Sequence, residues 1–256
     1  MDWTDIPRSY PTGVALGFLG LFFTAGALLL MFLTLLGGAT NTRPLNEIYF
    51  LQVDTSNIPG APSLSRWTFW QLCAVVNGKS QCGSSHPDYP FDPPSSRNFD
   101  TTTNIPAAFV GTNHYFLTSR FSFPFLLIAL FFGVISLLTG FLAMCTRIGS
   151  YLSSLMAWIA LVFQIIATCL ITAVYVQGRN KFNANNQTAR LGVKAFAFMW
   201  TAVACLFLAC LAYCMGGATG RKDRGRGYSG REHRRKGFFS SARSNSLRSN
   251  KETAAV

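Results

Sequence analysis

Trp67-Thr68-Phe69-Trp70-Gln71-Leu72-Cys73, followed after eight residues by Cys82, decides how this chain reads, because Asn77-Gly78 stands midway between the two cysteines. An Asn-Gly pair favours a two-residue type I′ turn, since both central positions need positive φ. The chain then folds back as a hairpin that sets Val76 against Lys79, Val75 against Ser80, Ala74 against Gln81 and Cys73 against Cys82. Pairs alternate outward from a hydrogen-bonded one at the turn. The cysteines therefore fall on a non-hydrogen-bonded site, where α-carbons approach to about 4.5 Å and a disulfide is tolerated. A Cys73–Cys82 disulfide places this loop in an oxidising compartment.

On either side of that loop the chain is apolar. It has 256 residues, half of them hydrophobic and only 12% charged, far below the quarter usual in soluble domains. Four stretches are long enough to cross a bilayer core of about 30 Å: Val14 to Gly38, Phe121 to Cys145, Leu152 to Val176 and Val193 to Met215. None holds Asp, Glu, Lys or Arg apart from Lys194 at the edge of the last. The first is too long, and too far in, for a cleaved signal peptide, and reads as a retained span. These boundaries leave 1–13 as an amino-terminal segment, 39–120 as a first loop, 146–151 as a short turn, 177–192 as a second loop and 216–256 as a tail. The fold class is an all-α four-helix membrane bundle carrying a small disulfide-stapled β lobe in its first loop.

Charge sets the expected orientation. The tail from Gly216 to Val256 carries eleven basic against three acidic residues, a net of +8 out of the chain's +12, whereas the first loop has five of each sign. Basic segments stay cytoplasmic, so both termini and the 146–151 turn are expected inside and the two larger loops outside. Arg179, Lys181, Arg190 and Lys194, on or beside the second loop, run against this rule.

In the first loop, Glu47 to Val53 and Trp67 to Val76 read as strands. The second would bury either the Trp67 and Phe69 face or the Trp70 and Leu72 face, because neighbours along a strand point oppositely. From Gly83 to Pro106 the proline content predicts an irregular, partly exposed excursion, which serves either recognition or mere length.

Phe69-Trp70-Gln71-Leu72-Cys73 with Cys82, and Arg120 at the mouth of the second span, resemble the claudin-type tetraspan signature, with Thr68 where claudins have glycine. Two further stretches, Asn46 to Ile58 through Asp54-Thr55-Ser56-Asn57 and Arg120-Phe121-Ser122-Phe123-Pro124-Phe125, are similar to the fungal Sur/PalI family of claudin-like tetraspans. The resemblance covers roughly residues 10 to 215. It implies a plasma-membrane protein of the eisosome-associated domain, with roles in cortical organisation, endocytosis, cell-wall integrity and stress tolerance. For the PalI branch it implies instead an accessory of an ambient-pH receptor; the short basic tail leans to the first.

Within the spans, Gly13, Gly17 and Gly20 in the first and Ala129, Gly133, Ser136 and Gly140 in the second permit close helix approach, as internal seams or as a dimer face. Gln164 is expected to hydrogen-bond between helices. Five cysteines remain beyond the hairpin pair: Cys169 and Cys205 read as small hydrophobes at membrane depth, while Cys145 and Cys214 lie at cytoplasmic helix ends and are palmitoylation candidates. His86, His114 and His233 are scattered, so no metal or cofactor site is expected. With no nucleophile beside a base and no intramembrane carboxylate, neither an enzyme nor a driven transporter is expected, and a channel or transporter subunit ranks third behind the organiser and the accessory.

Arg221, Lys222, Arg224, Arg226, Arg231, Arg234, Arg235 and Lys236 form a basic, glycine-rich tail whose composition predicts disorder and attraction to anionic lipid of the inner leaflet, not nucleic acid. Ser240, Ser241, Ser244, Ser246 and Ser249 follow as phosphorylation candidates that would weaken that attraction. Asn186-Gln187-Thr188 is the one complete glycosylation sequon. The expected partners are membrane lipids, cortical or eisosome proteins, and a second copy of the chain.

Overall fold

The computed structural model describes residues 12–145 and 147–239, with side chains over 14–142 and 148–217. Four helices, α1 (Thr12–Leu36), α2 (His114–Cys145), α3 (Arg147–Ala184) and α4 (Val193–Phe239), are each long and apolar enough to cross a membrane, over Val14–Leu36, His114–Leu142, Ile148–Ala184 and Val193–Gly217. Hydropathy finds the part of a helix suited to lipid but not where its hydrogen bonding stops. Thus α2 begins at His114 rather than Phe121, and α3 ends at Ala184 rather than Val176. Both overhangs are held in the lobe, where Tyr115 and Phe182 are buried. At the other end α3 already starts at Arg147, so most of the expected 146–151 turn is helix. The backbone of α4 likewise runs to Phe239, where composition predicts disorder from 216. Extending a formed helix needs no new nucleus, and Arg and Lys are good helix formers.

Small residues set the bundle's seams. A Cβ on Gly20 would come within 2.7 Å of the Tyr213 ring, one on Gly140 within 2.6 Å of its hydroxyl, and one on Gly133 within 2.9 Å of Leu28. Tyr213 thus lies in a slot between α1 and α2 that larger residues would close. Ala129 and Ser136 are fully buried, and the Ser136 hydroxyl donates to the Ser153 carbonyl of α3 at 3.0 Å. Gln164 departs from expectation. It is fully buried, yet its Nε2 donates to Thr168 Oγ1 one turn on in its own helix, at 3.3 Å, and its Oε1 has no partner among the described residues.

At one end of the bundle stands a five-stranded antiparallel sheet in the order β4-β3-β2-β1-β5, built from β1 (Leu51–Asp54), β2 (Leu64–Trp67), β3 (Leu72–Val76), β4 (Lys79–Gln81) and β5 (Ala189–Leu191). The β3–β4 pairing is the expected one, Val76 to Lys79, Val75 to Ser80 and Ala74 to Gln81. Asn77 and Gly78 have φ of 51° and 76°, as a type I′ turn requires. The Cys73–Cys82 disulfide closes it with α-carbons 4.4 Å apart.

Two expectations in the loop are corrected. Leu45–Glu47 is a single 3-10 turn, so the first strand starts only at Leu51. The run from Trp67 to Val76 is two strands, broken where the Thr68 hydroxyl accepts from the Trp70 and Gln71 amides and donates to the Gln71 carbonyl. A side chain that serves three backbone groups makes a tight corner and ends the ladder. The second loop, for which the sequence reading gives no strand, supplies β5, which pairs Leu191 with Leu51 and Ala189 with Val53.

Candidate functional site

The lobe's interior is aromatic. Trp67 is fully buried, and its ring meets Phe91, Phe99 and Phe182 with centroids 5.3, 5.7 and 6.0 Å away, while its Nε1 donates to Asn98 Oδ1 at 2.8 Å. Phe69, also buried, packs edge-on against Phe50 at 4.6 Å and against Phe123 of α2 at 5.6 Å. Of the two faces left open, Trp67 and Phe69 therefore point inward. Trp70 is half-buried and donates its Nε1 to the Leu35 carbonyl at the end of α1, at 2.6 Å. That bond satisfies a helix-end carbonyl with no partner in its own helix. Gln71 Nε2 donates to the Gly38 carbonyl, two residues beyond that helix, at 3.3 Å. Gly38 has φ of +78°, and a Cβ there would overlap Thr68. The signature residues thus fasten the sheet onto the helix ends.

The 83–106 excursion is irregular, but it packs more deeply than its composition suggests. Phe91 is fully buried, and Phe99 and Ile105 nearly so. Phe91 also presses on Gly178 of α3, where a Cβ would sit 2.7 Å from its ring. Arg120, in the second turn of α2, pairs through Nε with Asp88 Oδ2 of this excursion at 2.7 Å. The Tyr89 hydroxyl donates to the Arg97 carbonyl, and burial pushes that phenol up to about 12. Burial also raises Asp92, with a Ser95 hydrogen bond acting the other way. Asp54 moves down because Ser56 donates to it from both hydroxyl and amide.

Among other predicted site residues, Asn186 is exposed with φ of 59°, just beyond the end of α3. Its neighbours are held, Gln187 by Asn57 and the Asn104 carbonyl, and Asn185 by that same carbonyl. Cys214 is exposed, with Sγ 3.0 Å from Ser154 Oγ. Cys169 is exposed on α3, Cys205 half-buried and Cys210 buried. The side chain of Cys145, the basic side chains from Arg221 to Lys236, and Ser240, Ser241, Ser244, Ser246 and Ser249 lie outside the described residues. Among the described residues no three His, Cys, Asp or Glu side chains group as metal ligands.

Sequence reasoning did not find a cleft of about 400 Å³ between the sheet and the start of α4, lined by Arg43, Glu47, Tyr49, Arg66, Lys79 and Lys194 among others. Nothing local marks Arg66 as a site residue, because its partners come from two other segments, Tyr49 and Gln52 in one and Gly78 and Ser80 in the other. Its guanidinium stacks 4.3 Å from the Tyr49 ring centroid, and donates to Gln52 Oε1 at 2.8 Å and Ser80 Oγ at 3.0 Å. Glu47 pairs with Arg43 at 3.1 Å and with Lys194, and the Lys194 hydrogen bond and charge hold its carboxyl below the usual range.

Four apolar helices joined on one side by a disulfide-stapled sheet that both larger loops build make this a claudin-like tetraspan membrane protein. Residues 16–212 match the model of the SUR7/PalI family, and the chain belongs to that family. It is similar to Protein SUR7 of Candida albicans, 38% identical over 79% of this chain and 74% of that one. It is also similar to the SUR7 family protein FMP45 of Saccharomyces cerevisiae, 38% identical over 71% of this chain and 59% of the relative. An uncharacterized plasma membrane protein of the same yeast is 33% identical over 80% and 69%. The chain thus spans between about three fifths and three quarters of these relatives' lengths.

Proposed function

We propose that this protein is a structural organiser of a plasma-membrane domain, associated with eisosomes and supporting cortical organisation, endocytosis, cell-wall integrity and stress tolerance. Membership of the SUR7/PalI family across bundle and lobe, residues 16–212, carries this reading. A relative named as a plasma membrane protein supports the location. In this reading the lobe faces outward and both termini are cytoplasmic. The lobe offers a firm surface to neighbours or wall polymer, because its strands, excursion and helix ends share one aromatic core. Its role is mechanical and organisational, with no reaction to catalyse.

The basic residues from Arg221 to Lys236 gather anionic lipid and cortical proteins on the inner side, each worth up to about 1 kcal/mol at the surface. Phosphorylation of Ser240 to Ser249 releases them, palmitoylation of Cys145 or Cys214 strengthens the anchor, and Asn186 carries a glycan. The test is live imaging of a fluorescently tagged copy in a fungal cell, with and without residues 216–256. Stable cortical patches that coincide with an eisosome marker, and that disperse on truncation, are expected. A diffuse or endosomal distribution would refute the organiser and favour the ambient-pH accessory.

A further inference from the structure

The cleft beside α4 is built for an anion. Arg43, Arg66, Lys79 and Lys194 face it, and among the described residues Glu47 is the single carboxylate lining it, a formal excess of three positive charges. That carboxylate is already engaged by Lys194 and Arg43. Arg66 is about nine-tenths buried, and among the described residues no carboxylate pairs with it. A buried cation normally has a counter-charge. Here the side chain is instead held flat by Tyr49 and fixed by the neutral acceptors Gln52 and Ser80. With Nε given to Gln52 and Nη1 shared between Ser80 and the Gly78 carbonyl, Nη2 has no partner among the described residues and is the edge left to donate to a phosphate oxygen.

The position of the cleft narrows the source of that phosphate. Its wall includes Leu191, Gly192, Val193 and Lys194, where β5 turns into the first turn of α4. A Cβ on Gly192 would overlap the Tyr49 carbonyl, so only glycine lets this corner close against the lobe. The helix start adds partial positive charge to the cleft. Val193 is also the first residue of the apolar span, and it is 79% exposed. The cleft therefore lies where the polar lobe meets the membrane's edge, with cations on one side and an uncovered apolar side chain on the other. A headgroup with a lipid tail satisfies both; a soluble anion or a charged polymer meets only the first.

We propose that this cleft binds the phosphate-bearing headgroup of an anionic lipid in the leaflet on the lobe's side of the membrane. Replacing Arg66 would unseat the sheet as well, so the exposed Arg43 and Lys79 carry the test. The full chain in detergent is titrated with dioctanoyl phosphatidylinositol and with dioctanoyl phosphatidylcholine, and adducts are counted by native mass spectrometry. Because the basic tail also attracts anionic lipid, the difference between two charge-matched variants is the readout. Arg43→Gln/Lys79→Gln is expected to bind phosphatidylinositol about thirtyfold more weakly, at roughly 1 kcal/mol per removed basic residue near a lipid surface. Arg179→Gln/Lys181→Gln, on the end of α3, is expected to bind like the unmodified chain. Equal loss in both variants, or equal adducts with phosphatidylcholine and phosphatidylinositol in the unmodified chain, would overturn the site. Displacement of the lipid by an equal concentration of inorganic phosphate or of glycerophosphoinositol would overturn the lipid as its occupant. None of these outcomes depends on where the protein resides in a cell.

Discussion

The lobe and the helical bundle solve opposite problems with different residues. Inside the lobe, large rings fill the space and their polar edges find fixed partners: Trp67 reaches Asn98, and Trp70 reaches the carbonyl of Leu35. Between the helices the close contacts belong to residues with almost no side chain, and a single large ring, Tyr213, occupies the room that Gly20 and Gly140 leave. Water drives apolar burial in the lobe, whereas lipid offers no such drive between helices, where close approach and local hydrogen bonds must suffice. Damage should accordingly cost most where large rings are buried, and a polar misfit should cost most where no water can relieve it.

The sharpest break of that contrast is Trp67→Ala. Truncating a fully buried tryptophan removes its contacts with Phe91, Phe99 and Phe182 and takes the donor from Asn98 Oδ1. A loss of about 3–5 kcal/mol is expected, read as rapid proteolysis of the lobe while the spans stay protected. Trp67→Phe should recover most of it. If the alanine variant resisted protease like the parent, the aromatic core would not be what holds the lobe.

Next in size is Cys73→Ser/Cys82→Ser. The disulfide closes a short loop, and chain entropy assigns it about 2–3 kcal/mol. A lower midpoint of lobe unfolding and reduced surface expression are expected. The type I′ turn should survive, because Asn77 and Gly78 specify it on their own.

That independence explains what was legible in the sequence. The hairpin's register, its turn and its disulfide follow from residues within ten positions of each other, and each of the four spans follows from the composition of one unbroken stretch. The pairing of β1 with β5 was not legible, since Gln52 and Arg190 meet only after two helices have crossed the membrane and returned. Nor was the burial of Phe91, because proline-rich backbone predicts irregular structure, and irregular structure is compatible with any depth. The cleft at Arg66 combines both difficulties. Helix ends were misplaced where hydropathy fades before hydrogen bonding does, as at Phe182, whose partners lie in the lobe and not in lipid.

In the bundle the expected change has the other sign. Gln164 Oε1 is buried with no partner among the described residues, and Nε2 has only the long contact to Thr168. Exchanging a half-satisfied amide for an apolar side chain of similar size removes a desolvation cost, so Gln164→Leu should raise the thermal midpoint of the purified protein, by the equivalent of about 1 kcal/mol. A lowered midpoint would mean that the amide holds something the bundle needs, and the contrast between lobe and bundle would then have to include a polar contact in the spans.

The smallest effect lies at the junction of the two regions. Glu47 is held below its ordinary value of 4.5, first by the Lys194 hydrogen bond and charge and then by Arg43 and Arg66. A carboxyl with a depressed folded-state pKa contributes stability that is complete above the unfolded value and is lost as pH falls through the lower, folded one. Comparing the unmodified chain with Glu47→Gln cancels the titration of every other acid. The gap in thermal midpoint should be constant from neutrality down to about pH 5, then shrink to nothing as Glu47 takes up its proton. Because the group is exposed and salt screens it, the gap should also narrow at high ionic strength. A gap that persisted at pH 3 would show that Glu47 fastens the lobe to α4 by packing instead of by charge.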